Sequence, residues 1–397
     1  MAKTIRPIVK TAPSHQNKLA RLLRIGGIGI VAVLVLYGVF NANLLPVVVK
    51  GDMPGTATTT PPTVPPFDKA AYDKKMLVIA NAPTSTWAAY LSATSTNANL
   101  SLPTISLSIK AALATSTLKA LNKLLWPVQN LPYPLPGALL PNNRIVAYYG
   151  NFYSTAMGIL GQNPPSVMIP QLKAAAAQWA AADPSTPVIP AIDYIAVTAQ
   201  GSAGADGKYR ARMPGSQLDE AVSLAKQVNG IVILDVQVGL SNVETEVPLL
   251  QKYLAMPNVE LALDPEFAMH NGEKPGDYIG SLDATDINWA ANYLANLVTT
   301  GNLPPKILIV HRFTQAMVTH TSNIKPLPQV QVVMDMDGWG SPTRKTGTYQ
   351  AFIENYPVQF TGFKLFYKND IKPPSTRMMT PAEVLKLTPQ PVFIQYQ

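Results

Sequence analysis

From residue 144 onward, short apolar runs alternate with stretches whose apolar residues recur every three or four positions. That is the pattern of strands followed by amphipathic helices. The runs predict strands at 145–150, 188–197, 231–238, 259–267, 307–313, 330–338, 360–367 and 392–396. The periodic stretches predict helices at 168–182, 217–228, 243–254, 284–299, 315–324, 349–355 and 381–387. Helix-start chemistry supports several of these. Ser241 or Asn242 precedes one helix, Asp283 another, and Thr380-Pro381 opens the last with proline at the first helical position. Strict alternation of strand and helix implies a parallel sheet. Eight strands in a segment of this size, 143–397, fit a (βα)8 TIM-like barrel. A doubly wound open sheet is the structural alternative, but no glycine-rich phosphate loop follows the first strand. The run 204–208 ends in Tyr209 where a phosphate loop needs serine or threonine.

The strand ends carry the chemistry. In Val-Glu-Leu-Ala-Leu-Asp-Pro-Glu-Phe (259–267), read as one strand, Asp264 and Glu266 are two apart and point to the same face. The third strand ends in Asp235 and Gln237, the fifth in His311-Arg312, and the sixth in Asp335, Asp337 and Trp339. The outer face of a barrel strand packs on helices, where an ionised acid costs several kcal/mol, so the pairs are expected to face inward at the C-terminal mouth. Crowded carboxyls with aromatic neighbours suit glycosidic bond hydrolysis, which needs one protonated acid and one carboxylate. On this reading Glu266 is the general acid and Asp337 the nucleophile or base, with Asp264 and Asp235 orienting them. Tyr149, Gln237, His311, Trp339, Tyr367 and Gln395 are the expected substrate contacts. Asp193, within an apolar run, reads as a structural hydrogen-bonding residue. Asp235 or Asp264 pairing with Lys306, Arg312 or Lys364 is the bland alternative for those acids.

Composition changes the picture mainly at the N-terminus. The formal charge is +8, but Lys3, Arg6, Lys10, Lys18, Arg21 and Arg24 all precede the first acid, Asp52. Little excess is left for the rest, which argues against a nucleic-acid footprint. The basic tail 1–24 runs into an apolar stretch read as a transmembrane anchor at 25–49. The positive-inside rule then leaves the N-terminus cytoplasmic and the barrel outside; secretion after signal cleavage is the alternative. Gly26, Gly27 and Gly29 lie inside the anchor and are no dinucleotide fingerprint. A Pro/Thr-rich linker at 50–66 reads as an extended spacer, and 67–142 as a helical and irregular segment with helices at 67–81 and 110–125. The absence of cysteine excludes disulfides, thiol nucleophiles and lipidated cysteine. No cofactor is expected.

The runs Arg-Ile-Val-Ala-Tyr-Tyr-Gly-Asn (144–151), Leu-Asp-Val-Gln (234–237), Ala-Leu-Asp-Pro-Glu-Phe (262–267) and Asp-Gly-Trp-Gly (337–340) resemble a group of uncharacterised exported actinobacterial proteins. That resemblance, over 143–397, implies a glycoside-hydrolase-like TIM barrel and a polysaccharide or glycan partner. The Asp-x-x-Asp-x-Asp-x-Glu run of chitinase-type barrels is absent, as is a glutamate ending the seventh strand. Both absences weigh against a two-glutamate retaining mechanism. Two readings of other classes remain: a non-catalytic barrel binding a glycan or protein, and a metal-dependent hydrolase using Asp235, Asp264, Asp337 and His311.

Overall fold

A computed structural model of the chain describes residues 66–81 and 131–397. The basic tail, the expected anchor at 25–49, the linker up to residue 65 and the expected helix at 110–125 lie outside the described residues. Among the described residues, no helix is long and apolar enough to cross a membrane.

Among the described residues, eight parallel strands close into a barrel: β1 (Arg144–Gly150), β2 (Val188–Ala199), β3 (Ile231–Val236), β4 (Val259–Leu263), β5 (Lys306–Arg312), β6 (Val330–Met336), β7 (Phe360–Leu365) and β8 (Phe393–Tyr396). Each pairs with its successor, and β8 returns to β1 with Ile145 opposite Phe393 and Tyr148 opposite Tyr396. The three residues Arg210–Arg212 add antiparallel to the end of β2. The eight expected strands are all present, and the TIM-barrel expectation stands for these residues.

The principal helices are α1 (Lys69–Ala80), α2 (Pro165–Ala182), α3 (Gly215–Gln227), α4 (Ala284–Gly301) and α5 (Pro342–Tyr349). Their starts follow local chemistry. Asp283 caps α4 and Asp286 answers it in a capping box. Thr380 and Glu383 do the same for the short turn Pro381–Val384. Asn242 accepts from the Thr245 amide at the head of three consecutive helical turns, which together span 243–254.

Three expectations are corrected. Residues 315–324 are not an α-helix and contain only a single 3-10 turn at Thr321–Asn323. Val318–Thr319 pairs with Leu282–Asp283, His320 is left-handed (φ 49°), and Arg312 draws the Thr314, Gln315 and Val318 carbonyls to its guanidinium. Those carbonyls would otherwise have been helical acceptors. The expected helix at 349–355 begins earlier, as α5, and its continuation Gln350–Glu354 is a wider π turn. The fourth strand ends at Leu263, because Asp264 caps a 3-10 turn over Pro265–Phe267.

The barrel has two apolar layers, one outside the sheet beneath the helices and one in the lumen. The lumen layer holds Ile145, Ala147, Ala191, Ile231, Ile233, Ile307, Ile309, Val333, Phe360 and Phe393. Its N-terminal end is closed by α1, whose Tyr72, Met76 and Ile79 join the same cluster. Asp68 caps α1 through the Ala71 amide, and Asn81 at its left-handed end donates to the Leu387 carbonyl. Lys75 reaches Thr186 in the loop before β2. The plug is thus tied to the barrel's lower loops by polar contacts around an apolar face.

Candidate active site

Because side chains alternate along a strand, the lumen residues continue upward from the apolar layer at two-residue intervals. On β3 the series Ile231, Ile233 is followed by Asp235 and Gln237, and on β5 Ile307, Ile309 by His311 and Phe313. On β6 Val333 leads to Asp335 and Asp337; on β7 Phe360 leads through Gly362 to Lys364 and Phe366. On these four strands the lumen therefore changes from apolar to polar and titratable within about one step of the pleat, whereas β4 already carries the buried Glu260 below Ala262.

His311 lies at the centre of the titratable layer, with no exposed surface. Its Nε2 is 2.9 Å from Asp235 Oδ2 and its Nδ1 3.1 Å from Asp335 Oδ2, with Asp337 Oδ2 at 3.7 Å. Burial alone would lower its pKa, but the hydrogen bonds to Asp235 and Asp335 outweigh that and hold it well above the ordinary value. A pKa held up in this way favours the imidazolium, which donates from both nitrogens. Asp335 sits beside Gly362 for a steric reason: a Cβ at Gly362 would fall 2.4 Å from Asp335 Oδ1 and 2.8 Å from the Phe393 ring.

Lys364 is the second cation. Its Nζ is 3.1 Å from Asp337 Oδ1 and lies 3.9 Å from the centre of the Tyr149 ring. Burial lowers its pKa, but the charge of Asp337 and that of Asp264 leave it raised overall. Gln237 Nε2 donates to the Tyr149 hydroxyl at 3.1 Å and to Asp264 Oδ2 at 3.3 Å, while its Oε1 accepts from the Ala199 amide at 3.0 Å. Asp264 Oδ1 accepts the Glu266 amide at 3.1 Å, so the acid that ends β4 also orients the one after it.

These acids outnumber the cations beside them, and their pKa values respond. Burial, with help from Asp235 and Asp337, raises Asp264 to about 7 although His311 opposes it. Burial and then the charges of Asp264 and Asp337 raise Glu266 to about 8. Below them, burial and Asp235 raise Asp193 to about 8, and Gln395 donates to it at 2.6 Å. Asp335 is also raised, by burial first, against the pull of His311.

Above this layer opens a cavity of about 340 Å³, within the range of small-molecule sites. Tyr149, Gln237, Asp264, Glu266, Asp337, Trp339 and Lys364 line it, and Phe313, Phe366, Arg344 and Gln397 are also in its wall. The structure thus brings six of the expected residues together: Glu266, Asp264, Asp337, Tyr149, Gln237 and Trp339. Asp235 lies beneath them, fully buried. The expected substrate contacts His311, Gln395 and Tyr367 are not in the cavity wall. His311 and Gln395 are sealed below, held by Asp235, Asp335 and Asp193. Tyr367 faces outward, stacked on Tyr396 at 5.1 Å and hydrogen-bonded to the Tyr148 hydroxyl. It is one step out of phase with Lys364 and Phe366.

Of the bland partners, Lys364 pairs with Asp337 and not with Asp235 or Asp264. Lys306 donates to the Met256 and Val259 carbonyls, and Arg312 to carbonyls in the loop after β5. The sequence reading has Asp335 facing the mouth, Asp193 as a structural hydrogen-bonding residue and Lys364 as an ion-pair partner, but it does not place Lys364, Phe366 or Phe313 in the wall of the site. Counting in twos from Phe360 or Ile309 would have found all three. Arg344 left no such signal, because it enters from α5.

Among the described residues, no group of three or more His, Asp or Glu side chains is arranged to hold a metal ion. Both ring nitrogens of His311 are already engaged, by Asp235 and Asp335, so His311 does not stand free as a ligand beside Asp264 and Asp337.

No family model matches the chain, and no curated protein matches it. Weak structural neighbours include glycoside hydrolases. A GH5-4 broad-specificity endoglucanase from an uncultured bovine rumen ciliate shares 10% identity at a TM-score of 0.30, covering 52% of this chain and 72% of that one. A GH18 chitinase from Pseudoalteromonas aurantia shares 10% at 0.25, covering 64% and 79%. An HPPK-DHPS protein in complex with substrates shares 10% at 0.32, covering 72% and 55%. At such scores nothing about those proteins' activities is carried over to this chain.

Proposed function

We propose that the chain is a glycan-cleaving hydrolase in which Glu266 is the proton donor and Asp337 the nucleophile or water-activating base. One observation carries the reading: Glu266 and Asp337 open into the same cavity, and Glu266 keeps its proton up to about pH 8. A glycosidic bond needs that asymmetry, a carboxylic acid on one side and a carboxylate on the other. The Glu266 proton passes to the leaving oxygen as the bond to the anomeric carbon breaks. Asp337 either takes a proton from the attacking water or forms the glycosyl ester that water then hydrolyses. In the second case Glu266, now ionised, removes the water's proton. Lys364 supplies counter-charge to Asp337. Asp264 fixes the backbone of Glu266, and its own charge helps keep Glu266 protonated. Asp235 acts one layer down, through His311.

We place this activity outside the cell on a membrane-anchored chain, acting on a cell-envelope or extracellular polysaccharide; the basic tail and apolar stretch of residues 1–49 support that reading. The test is release of reducing ends from a panel of such polysaccharides by the full-length wild type and by Glu266→Gln. Cleavage by the wild type that the variant loses supports the reading. Equal cleavage by both, or binding without cleavage by either, contradicts it.

A further inference from the structure

The chemistry of the bond-breaking groups says nothing about what surrounds the scissile sugar. The lip of the cavity does. Arg344, on the first turn of α5, is exposed, lines the cavity and has no carboxylate partner among the described residues. It is held in place all the same. Its guanidinium lies 5.2 Å from the centre of the Trp339 ring, and its stem crosses Gly340, where a Cβ would come within 2.8 Å of Arg344 Cδ. The ammonium of Lys372 approaches the same ring at 5.7 Å. Nearby cations are spent: Lys364 on Asp337 and Lys345 on Asp370. Of the two cations that line the cavity among the described residues, Arg344 is the one whose fork of donors has no carboxylate partner, and that fork suits planar oxyanions.

A second, smaller depression of about 80 Å³ adjoins the first. The two share Phe366 and Gln397 as a common wall, and Lys368 lines the second. Lys368 is exposed and, like Arg344, has no carboxylate partner among the described residues. Each depression therefore carries one uncommitted cation.

We infer that the glycan held at this site is anionic, with carboxylate- or sulfate-bearing sugar units meeting Arg344 in the cavity and Lys368 in the adjoining depression. The acid-rich floor does not forbid this. Asp264 and Glu266, held at about 7 and 8 by burial and by their neighbours, are largely protonated below neutral pH. With those two neutral, Lys364 is taken up by Asp337 and Arg344 is left in the cavity lining without an ion-pair partner among the described residues. Preorganisation of Arg344 by Trp339 and Gly340 reduces the ordering cost of binding. The inference rests on the hydrolase reading for the fate of the glycan, but not for how the glycan is held.

The test is calorimetric binding to the full-length chain carrying Glu266→Gln, so that turnover does not intervene. The probes are an oligogalacturonate, a sulfated carrageenan oligosaccharide and a neutral cello-oligosaccharide. At least one anionic probe is expected to bind more tightly than the neutral one, with affinity falling as salt rises. Adding Arg344→Gln is expected to weaken that probe about tenfold or more. Arg344→Lys recovers part of the loss, and Lys368→Gln gives a smaller one that longer probes feel more. Which anionic probe binds separates carboxylate from sulfate as the source. Binding of the neutral probe alone, of none of the three, or with no response to Arg344→Gln overturns the inference. If wild-type chain cleaves a neutral polysaccharide and Arg344→Gln leaves that rate unchanged, the hydrolase reading survives and this inference fails. If anionic binding depends on Arg344 but nothing is cleaved, the reverse holds.

Discussion

The lower and upper halves of the barrel lumen are built by the same strands and differ in almost everything else. Below, Ile231, Ile233, Ile307, Ile309, Val333 and Phe360 pack on one another and on the α1 plug. Above, Asp235, His311, Asp335, Asp337 and Lys364 occupy equivalent lumen positions one or two steps further along. The lower half gains most of its stability by removing apolar surface from water, with Glu260, raised to about 7 by burial, as its titratable exception. The upper half desolvates charge, and Oδ1 of Asp193, Asp235 and Asp335 finds no protein partner among the described residues. One half is arranged for stability and the other holds a costly layer in place for a site. The α1 plug belongs to the first: it covers the lumen at the end away from the acids.

The largest way to break that comparison is Glu266→Gln. It is expected to lower glycan cleavage by about 10²–10⁴-fold while leaving the unfolding midpoint near wild type, because a raised acid becomes a neutral isostere. Next comes His311→Ala, which leaves Asp235 and Asp335 without the cation between them. A loss of about 3–5 kcal/mol in urea unfolding is expected. Met76→Ala, in the plug, is expected to cost about 2–4 kcal/mol by opening a cavity, with the pH profile of any activity unchanged. A change in that profile would mean that the two halves are coupled.

A separate effect is the pH dependence of stability itself. Asp193, Asp264 and Glu266 hold protons in the folded chain to about 8, 7 and 8, while unfolded carboxyls release them near 4. Between those values the folded state binds more protons than the unfolded one, so stability is greatest at the acid end and declines as pH rises toward 8. His311, raised as well, contributes stability that is complete below about 6.5 and is lost as pH rises through its folded value. Both trends have one sign: the melting temperature falls from pH 5 to pH 9. A flat or rising curve would mean that the upper layer is less buried than described.

The contrast between the halves also explains what could be read from the sequence. Strand positions were legible because each is a short apolar run, and Asp235, Asp264, Glu266 and Asp337 stood out because acids interrupt such runs. The phase within a run was harder. Tyr367 looked like a mouth residue because it follows β7, yet the two-residue period that puts Phe360 and Lys364 in the lumen turns Tyr367 outward onto Tyr396. His311 was found but read as a substrate contact, because nothing local announces that Asp235 and Asp335, 76 and 24 residues away, clamp it from both sides. Residues 315–324 had helical spacing, but Arg312 drew their carbonyls elsewhere. Arg344 was out of reach, since its place at the lip depends on how α5 meets Gly340 and Trp339.

The central claim is that Glu266 delivers a proton to a leaving oxygen, and the most direct test varies how much that oxygen needs one. Once a cleaved glycan is known, wild type and Glu266→Gln are compared on it and on its dinitrophenyl glycoside, whose leaving group departs without protonation. The account predicts that the variant loses cleavage of the glycan but keeps substantial release of dinitrophenol, and that the wild-type glycan rate falls as pH rises through about 8. Equal losses on both substrates, or a wild-type rate that climbs through that pH, would contradict it.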